Sequence, residues 1–398
     1  MKIAINGAGV AGPTLAYWLR RYGHEPVLIE VAPRLRTGGY VIDCWGTGYD
    51  VVEKMGLLPM LREQAYNVGE WRLVDGEGHR TGGISTSTLN HLTHGRAMTL
   101  QRGALASTIY GAVSNDVETI FGDSVAAIEE NGDGVRVSFD RHPARDFDLV
   151  IGADGLHSRV REIAFGPESA FEIGLGYHVA AFEVTGYRPR DELAYVSHNV
   201  PGRQISRFAL RNDKTIFLLV FDTALMGGRS PSTPGERKAV LRDVFGGVAW
   251  EAPQILAAME ADDDIYFDRV SQIRMEQWWK GRAALIGDAA AAVSLLAGEG
   301  TGLGMAEAYV LAGELSAAAD DHATGFRRYA EVIGAFVRRK QDNAKAMAAS
   351  MVPKSALRIK LRDVATRLMA IPFLADYFIG RDMRESIDLP DYSKWLAR

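Results

Sequence analysis

The sequence predicts an α/β fold: a doubly wound, mostly parallel sheet, a second region rich in β-strand, and a C-terminal helical segment. Three observations carry that expectation. The first thirty residues read as strand, glycine-rich turn, helix and strand. Two later apolar strands end in Gly152-Ala153-Asp154-Gly155 and Gly287-Asp288-Ala289-Ala290, and the stretch between them shifts toward β-type patterning. At 398 residues the chain exceeds the roughly 250 to 300 residues that one core supports, so two domains or a large insertion are expected.

The opening stretch justifies itself part by part. Lys2-Ile3-Ala4-Ile5-Asn6 is a short buried strand, and Gly7-Ala8-Gly9-Val10-Ala11-Gly12 follows without a spacer. Leu15, Trp18, Leu19 and Tyr22 then share one helical face, Gly23 ends the helix, and Pro26 to Glu30 is a second strand tipped by an acid. Gly7 permits the tight turn, Gly9 lets backbone approach a pyrophosphate, and Gly12 lets the helix pack close to the sheet. The helix start offers unpaired N–H groups to phosphates. Glu30 lies 18 positions beyond Gly12, near the spacing at which an acid reaches ribose hydroxyls. An acid there disfavours a 2′-phosphorylated ribose, so FAD or NAD is expected over NADP.

Further along, residues 32–40 form a basic, glycine-rich loop holding Arg36. Backbone there could approach a flat ring, or the loop could be a surface connection. A helix is expected over Tyr49 to Met60, ending before Pro59, and Trp71 to Val74 enters a hairpin turn at 75–78. Arg102 stands where a strand runs into a helix. Its fork suits a phosphate or carbonyl, although spacing alone favours a solvated helix-start arginine. Strands are expected at 117–121, 124–129 and 135–139. The apolar strand before Asp154 places that carboxylate where it could hold a hydroxyl or amide of a ligand.

From Tyr177 to Arg274 the chain reads as strands at 179–184, 194–200, 204–210 and 215–221, two helices, and a strand near 265–273. His178, Gln204, Phe208 and Phe217 are the candidate substrate contacts there, against the general tendency of sheet aromatics to be core. Asp288, at the end of another apolar strand, sits where ligands bind in open α/β sheets. The glycine-rich stretch from Gly298 to Gly304 offers a second helix N-terminus, with the helix itself expected over Met305 to Leu315. Residues 326–398 read as mostly helical with a basic band; attachment to a membrane surface and a long helix bridging two domains with a solvated face are the two readings, and the second is favoured.

Composition narrows the class. A net charge of −5 and pI near 6.0 leave no electrostatic footprint for nucleic acid. Cys44 is the only cysteine, so neither an intrachain disulfide nor a CxxC metal site is possible, and no metal is expected. No apolar run approaches the roughly 20 residues of a membrane span, and the first strand begins at Lys2, so a cytoplasmic protein without stable membrane association is expected.

Taken in order, Gly7 to Gly12 with Glu30, Gly152 to Gly155, and Gly287 to Ala290 with Gly298-Glu299-Gly300 resemble the FAD-dependent group A aromatic monooxygenases of the p-hydroxybenzoate hydroxylase fold. Within them the set is most similar to the tetracycline-inactivating flavin monooxygenases and related tailoring hydroxylases. The resemblance implies a Rossmann-like FAD-binding domain from 1–75, 97–170 and 278–345, a β-sheet substrate domain from 76–96 and 171–277, and C-terminal helices over 346–398. It implies that Gly7, Gly9, Val10, Ala11 and Gly12 cradle the FAD pyrophosphate and that Glu30 binds the adenosine ribose. Arg36 and Arg102 would attend the cofactor, Asp288 its ribityl or pyrophosphate portion, and Gly298, Gly300, Thr301 and Gly302 the pyrimidine edge of the ring. Asp154 would be linked with FAD and NAD(P)H handling.

The activity so implied is hydroxylation of an aromatic or polyketide-like small molecule by NAD(P)H and O2 through a flavin C4a-hydroperoxide, in a monomer or homodimer. That family usually carries His after Gly-Asp-Ala-Ala, Gln at position 299 and Asn at position 302; this chain has Ala291, Glu299 and Gly302. It also lacks the Trp-x-Trp-x-Ile-Pro segment of flavin halogenases. A flavin reductase without oxygen insertion and a non-catalytic FAD-dependent binding protein are the competing readings.

Overall fold

The computed structural model describes residues 1–35, 40–262, 264–319, 321–369, 371–376 and 386–396. The fingerprint strand Lys2–Asn6 lies inside a six-stranded sheet, flanked by Glu25–Glu30 on one side and Leu149–Gly152 on the other. Glu118–Phe121 extends it beyond Glu25–Glu30, and Ala283–Leu285 and then Trp279–Lys280 extend it beyond Leu149–Gly152. All neighbours run parallel except the last pair. Such a sheet is covered on both faces, which is why its strands read as unbroken apolar runs. Ile3, Ile5, Leu15, Leu19 and Leu28 are all fully buried in its core.

Two close approaches fix the geometry. Gly7 takes a φ of +109°, and a Cβ on Gly12 would overlap the Gly7 carbonyl oxygen. The helix Ala11–Arg21 therefore seats directly on the turn. The helix Gly300–Ala317 packs against it and is buried on almost every side. It starts earlier than expected because the glycine-rich stretch forms its first turn. A Cβ on Gly48 would lie 2.6 Å from the Gly302 Cα, so small residues here serve helix-to-helix approach.

The expected single helix over 49–60 is two, Gly46–Lys54 and Leu58–Gln64. Gly56, at φ +74°, ends the first as a left-handed cap, and Pro59 opens the second, where its missing N–H costs nothing.

The second sheet has seven strands, in the order Tyr266–Ile273, Glu172–Thr185, Lys214–Asp222, Arg203–Ala209, Ala194–Val200, Glu70–Val74 and Arg80–Ser85. The hairpin over 70–85 thus belongs to this sheet, pairing parallel to Ala194–Val200, and the boundary expected at 75 falls inside it. A hairpin signal identifies two paired strands but not the sheet they join. One face packs on helices Pro234–Phe245 and Ala252–Met259 through Phe182, Phe217, Leu219, Phe221, Leu241 and Phe245. The other faces the nucleotide-type sheet across a cavity.

A 30-residue helix, His322–Met351, ties the halves together. Gln341 donates to the carbonyls of Ile273 and Ala292, and Gln272 donates to the Gln341 carbonyl. Its bridging role matches the sequence reading. No helix among the described residues is long and apolar enough to cross a membrane.

Candidate active site

One cavity of about 1360 Å³ runs from Glu30 and the fingerprint turn, past Arg102 and Asp288, to the concave face of the seven-stranded sheet. Small-molecule sites commonly enclose about 300 to 1,000 Å³. The larger space suits a dinucleotide and a second molecule together.

Gly7, Gly9, Val10, Ala11, Glu30, Arg102, Asp154, Asp288, Gly298, Gly300 and Thr301 all line it. Gly12 and Gly302 do not. Gly12 is consumed in helix-to-turn packing, and Gly302 packs its Cα against Gly48. Arg36 lies outside the described residues.

The polar groups differ in how free they are. Glu30 accepts from the Ala8 and Ala32 amides at 2.9 Å, so each oxygen keeps a lone pair for a further donor. Asp154 accepts from Asn6 Nδ2 at 2.8 Å, Ser158 Oγ at 2.5 Å and the Arg159 and Val160 amides at 2.8 and 3.1 Å. Burial pushes its carboxyl up and those donors pull it back. It clamps the first strand to the helix Arg159–Phe165 and has little capacity left for a cofactor.

Asp288 is the opposite case. Its carboxylate has open surface into the cavity yet sits deep in the molecule, with no hydrogen-bond partner among the described residues. Burial raises its pKa against the pull of Arg102. Arg102 forms no salt bridge among the described residues and approaches Gly9, where a Cβ would lie 3.4 Å from its guanidinium. A buried acid and a cation left open on one wall fit a ligand carrying hydroxyls and phosphates.

Three functional features escaped the sequence reading. Glu307, on the buried helix, accepts from the Gly287 amide at 2.5 Å and from Tyr329 Oη at 3.2 Å. It holds Gly287 at φ +61°, the turn that presents Asp288. Burial pushes its pKa up to about 8. The signal was an acid inside the apolar run Met305 to Leu315. Lys340, counted with a solvated basic band, is 5% exposed. It bridges Glu299 at 3.1 Å and lies over the rings of Trp45 and Phe336. His157 lines the wall between Glu168 and Asp268, and its hydrogen bond to Asp268, with help from Glu168, lifts its pKa to about 9.

The expected substrate contacts need correction. His178 and Phe217 face away from the cavity. His178 stacks on Phe221 and meets Thr223, while Phe217 packs between Phe182 and Tyr187. Phe208 and Gln204 are on the cavity side but fully buried and absent from its lining. Phe208 lies between Tyr66 and Tyr195, and Gln204 donates to Ser206. The sheet residues that line the cavity include Trp71, Ile84, Val179, Tyr195, Ile216 and Leu218 from the inner strands and hairpin, and Tyr266, Arg269, Val270 and Ser271 from the edge strand. Alternation along a strand puts Val179 and Leu218 on the face opposite to their neighbours His178 and Phe217.

Comparison with known proteins agrees with this geometry. Residues 1–329 match the family described as FAD binding domain. An uncharacterized protein of Mycobacterium tuberculosis is 39% identical over 345 residues, covering 85% of this chain and 91% of its own. A flavin-dependent monooxygenase of Legionella longbeachae is 32% identical, covering 86% and 87%. The crystal structure of the tetracycline destructase Tet(51) superposes with a TM-score of 0.81 at 30% identity over 98% of both chains. A dinucleotide fingerprint, an open acid and cation on the same wall, and these likenesses converge: the chain belongs to the flavin-dependent monooxygenases built on the FAD binding domain.

Proposed function

We propose that this monooxygenase hydroxylates an electron-rich, largely apolar aromatic or polycyclic molecule, of polyketide-like character, with NAD(P)H and O2 as co-substrates. The observation that carries the reading is the continuity of the cavity, which joins a polar nucleotide end to an apolar sheet end without a wall between them. FAD, when bound, supplies reduction by NAD(P)H and activation of O2.

The chain supplies position and dryness. The Val10–Ala11 helix start and Arg102 would hold the diphosphate of FAD, Glu30 its ribose, Asp288 its ribityl hydroxyls, and Gly300 and Thr301 the electron-rich edge of its ring. Tyr195, Ile216 and Leu218, with Leu296 and Met351 opposite, offer flat apolar surface that orients the reacting carbon and excludes water, limiting loss of activated oxygen to solvent. No acid–base pair is needed at the sheet end. The likeness to a tetracycline destructase supports a polycyclic substrate.

The test uses FAD-loaded protein and a panel of aromatic and polycyclic compounds. One compound is expected to accelerate NAD(P)H oxidation, and its product made under 18O2 is expected to carry one labelled oxygen. Product without label would make the protein a reductase. Absence of any stimulated oxidation would favour a binding role.

A further inference from the structure

The helix Ala356–Leu368 is amphipathic the wrong way round. Its polar side chains face the protein. Asp363 accepts from Thr81 Oγ1 at 2.6 Å, Thr366 Oγ1 accepts from the Gly83 amide at 3.0 Å, and Arg362 donates to Asn199 Oδ1 at 3.0 Å. A Cβ on Gly82 would lie 2.6 Å from Thr366 Oγ1, so the helix rests directly on the edge strand Arg80–Ser85 and caps it.

Its apolar side chains face outward. Leu357, Leu361, Val364 and Leu368 recur at helical spacing and are 67%, 60%, 52% and 43% exposed. Ile371 and Phe373, at 53% and 75%, continue the patch. Nothing among the described residues covers them. A helix docked through hydrogen bonds with an apolar stripe turned outward has its missing partner on the outside.

The charges say what kind of partner. On a 3.6-residue wheel Arg358 flanks the stripe on one side and Lys360 and Arg367 on the other, all three exposed. The only acid in the helix, Asp363, is buried. This cationic rim stands out in a chain of net charge −5. A second copy packed about a two-fold axis would bring these cations against their own images. An apolar stripe between cations matches an anionic bilayer surface instead, with leucines at the acyl boundary and guanidinium and ammonium groups at the phosphates.

We propose that this helix is an interfacial element that seats the protein reversibly on anionic membrane. The position has a consequence for access. Leu361, Ala365 and Met347 also line the apolar end of the cavity, so the seated face adjoins the way in for a lipophilic molecule. Of the two readings of the basic band, this proposal takes the membrane surface for the helix Ala356–Leu368. The binding step does not depend on the reaction proposed above.

The test is flotation of the FAD-loaded full chain with vesicles of phosphatidylcholine alone or mixed with phosphatidylglycerol. Binding is expected only to the mixed vesicles, weakening with salt, and weakening about fivefold for each cation neutralised among Arg358, Lys360 and Arg367. The double variant Leu357→Asp, Leu368→Asp is expected to lose binding with its melting temperature unchanged. The proposal is overturned by equal binding to both vesicles, by no binding at millimolar lipid, or by full binding of the double variant. A wild-type dimer that this variant turns into monomer would also overturn it, because a second copy would then cover the stripe.

Discussion

The nucleotide end and the sheet end of the cavity are built by different means. At the nucleotide end the backbone does the work: Gly7 and Gly12 are there because side chains would collide, while Gly9, whose Cβ would meet only the Arg102 guanidinium at 3.4 Å, leaves backbone open to the cavity. At the sheet end the work falls to side-chain parity, since Val179 and Leu218 face the cavity while His178 and Phe217 beside them do not. Backbone collisions leave a fixed mark in sequence. Parity leaves two equal choices until the sheet is packed against something.

The largest expected effect breaks the nucleotide end. Gly12→Val drives side-chain atoms into the Gly7 carbonyl and should cost about 3 kcal/mol or more. Protein lacking flavin absorbance, with a sharply lowered melting temperature, is the expected result, and a yellow protein of normal stability would contradict it.

Parity is tested by neighbours. Phe217→Ala should cost roughly 3 to 5 kcal/mol of stability as a core cavity, read by chemical denaturation, without a selective rise in KM. Leu218→Ser, one residue on, should leave flavin content intact and raise KM for the stimulating compound by about tenfold, through lost apolar contact and an unpaired hydroxyl. The reverse pattern would mean that the cavity face is misassigned.

A milder effect is expected at the open polar pair. Asp288→Asn and Arg102→Gln should each weaken FAD binding by about tenfold or more, with the fold kept, because charged hydrogen bonds contribute about 1.5 to 3 kcal/mol. Titration of apoprotein with FAD reads this. An unchanged Kd in both variants would remove them from the cofactor site.

The smallest effect is a pH trend. Glu307 has its folded pKa raised to about 8 from 4.5, so the folded state holds a proton that the unfolded chain releases. Its contribution is fully present below the unfolded value and is lost as pH rises through about 8. Glu307→Gln should flatten the wild-type fall in melting temperature between pH 5 and 9 by at least about 2 °C. Parallel curves for the two proteins would deny the titration.

What the sequence could reveal follows from the same contrast. The fingerprint strand, helix and second strand were legible because glycine spacing and apolar runs have one physical solution. Asp288 was legible because an acid after a buried strand marks the end where parallel sheets bind ligands. Glu307 and Lys340 were not, since each depends on contacts across the fold: Gly287 and Tyr329 for one, Glu299, Trp45 and Phe336 for the other. The close approach of Gly302 to Gly48 was not legible either, because a packing glycine looks like any other until its neighbour is placed opposite. The outward stripe of Ala356–Leu368 was not legible, because helical spacing of apolar residues does not say whether the face they share is turned toward the protein or away from it.

The most direct test is a crystal structure of the protein with FAD and the compound that stimulates NAD(P)H oxidation. The account predicts FAD extended from Glu30 past Arg102 and Asp288, its ring edge at Gly300 and Thr301, and the compound against Tyr195, Ile216 and Leu218. FAD outside this cavity, or a compound bound on the His178 and Phe217 side of the sheet, would contradict it.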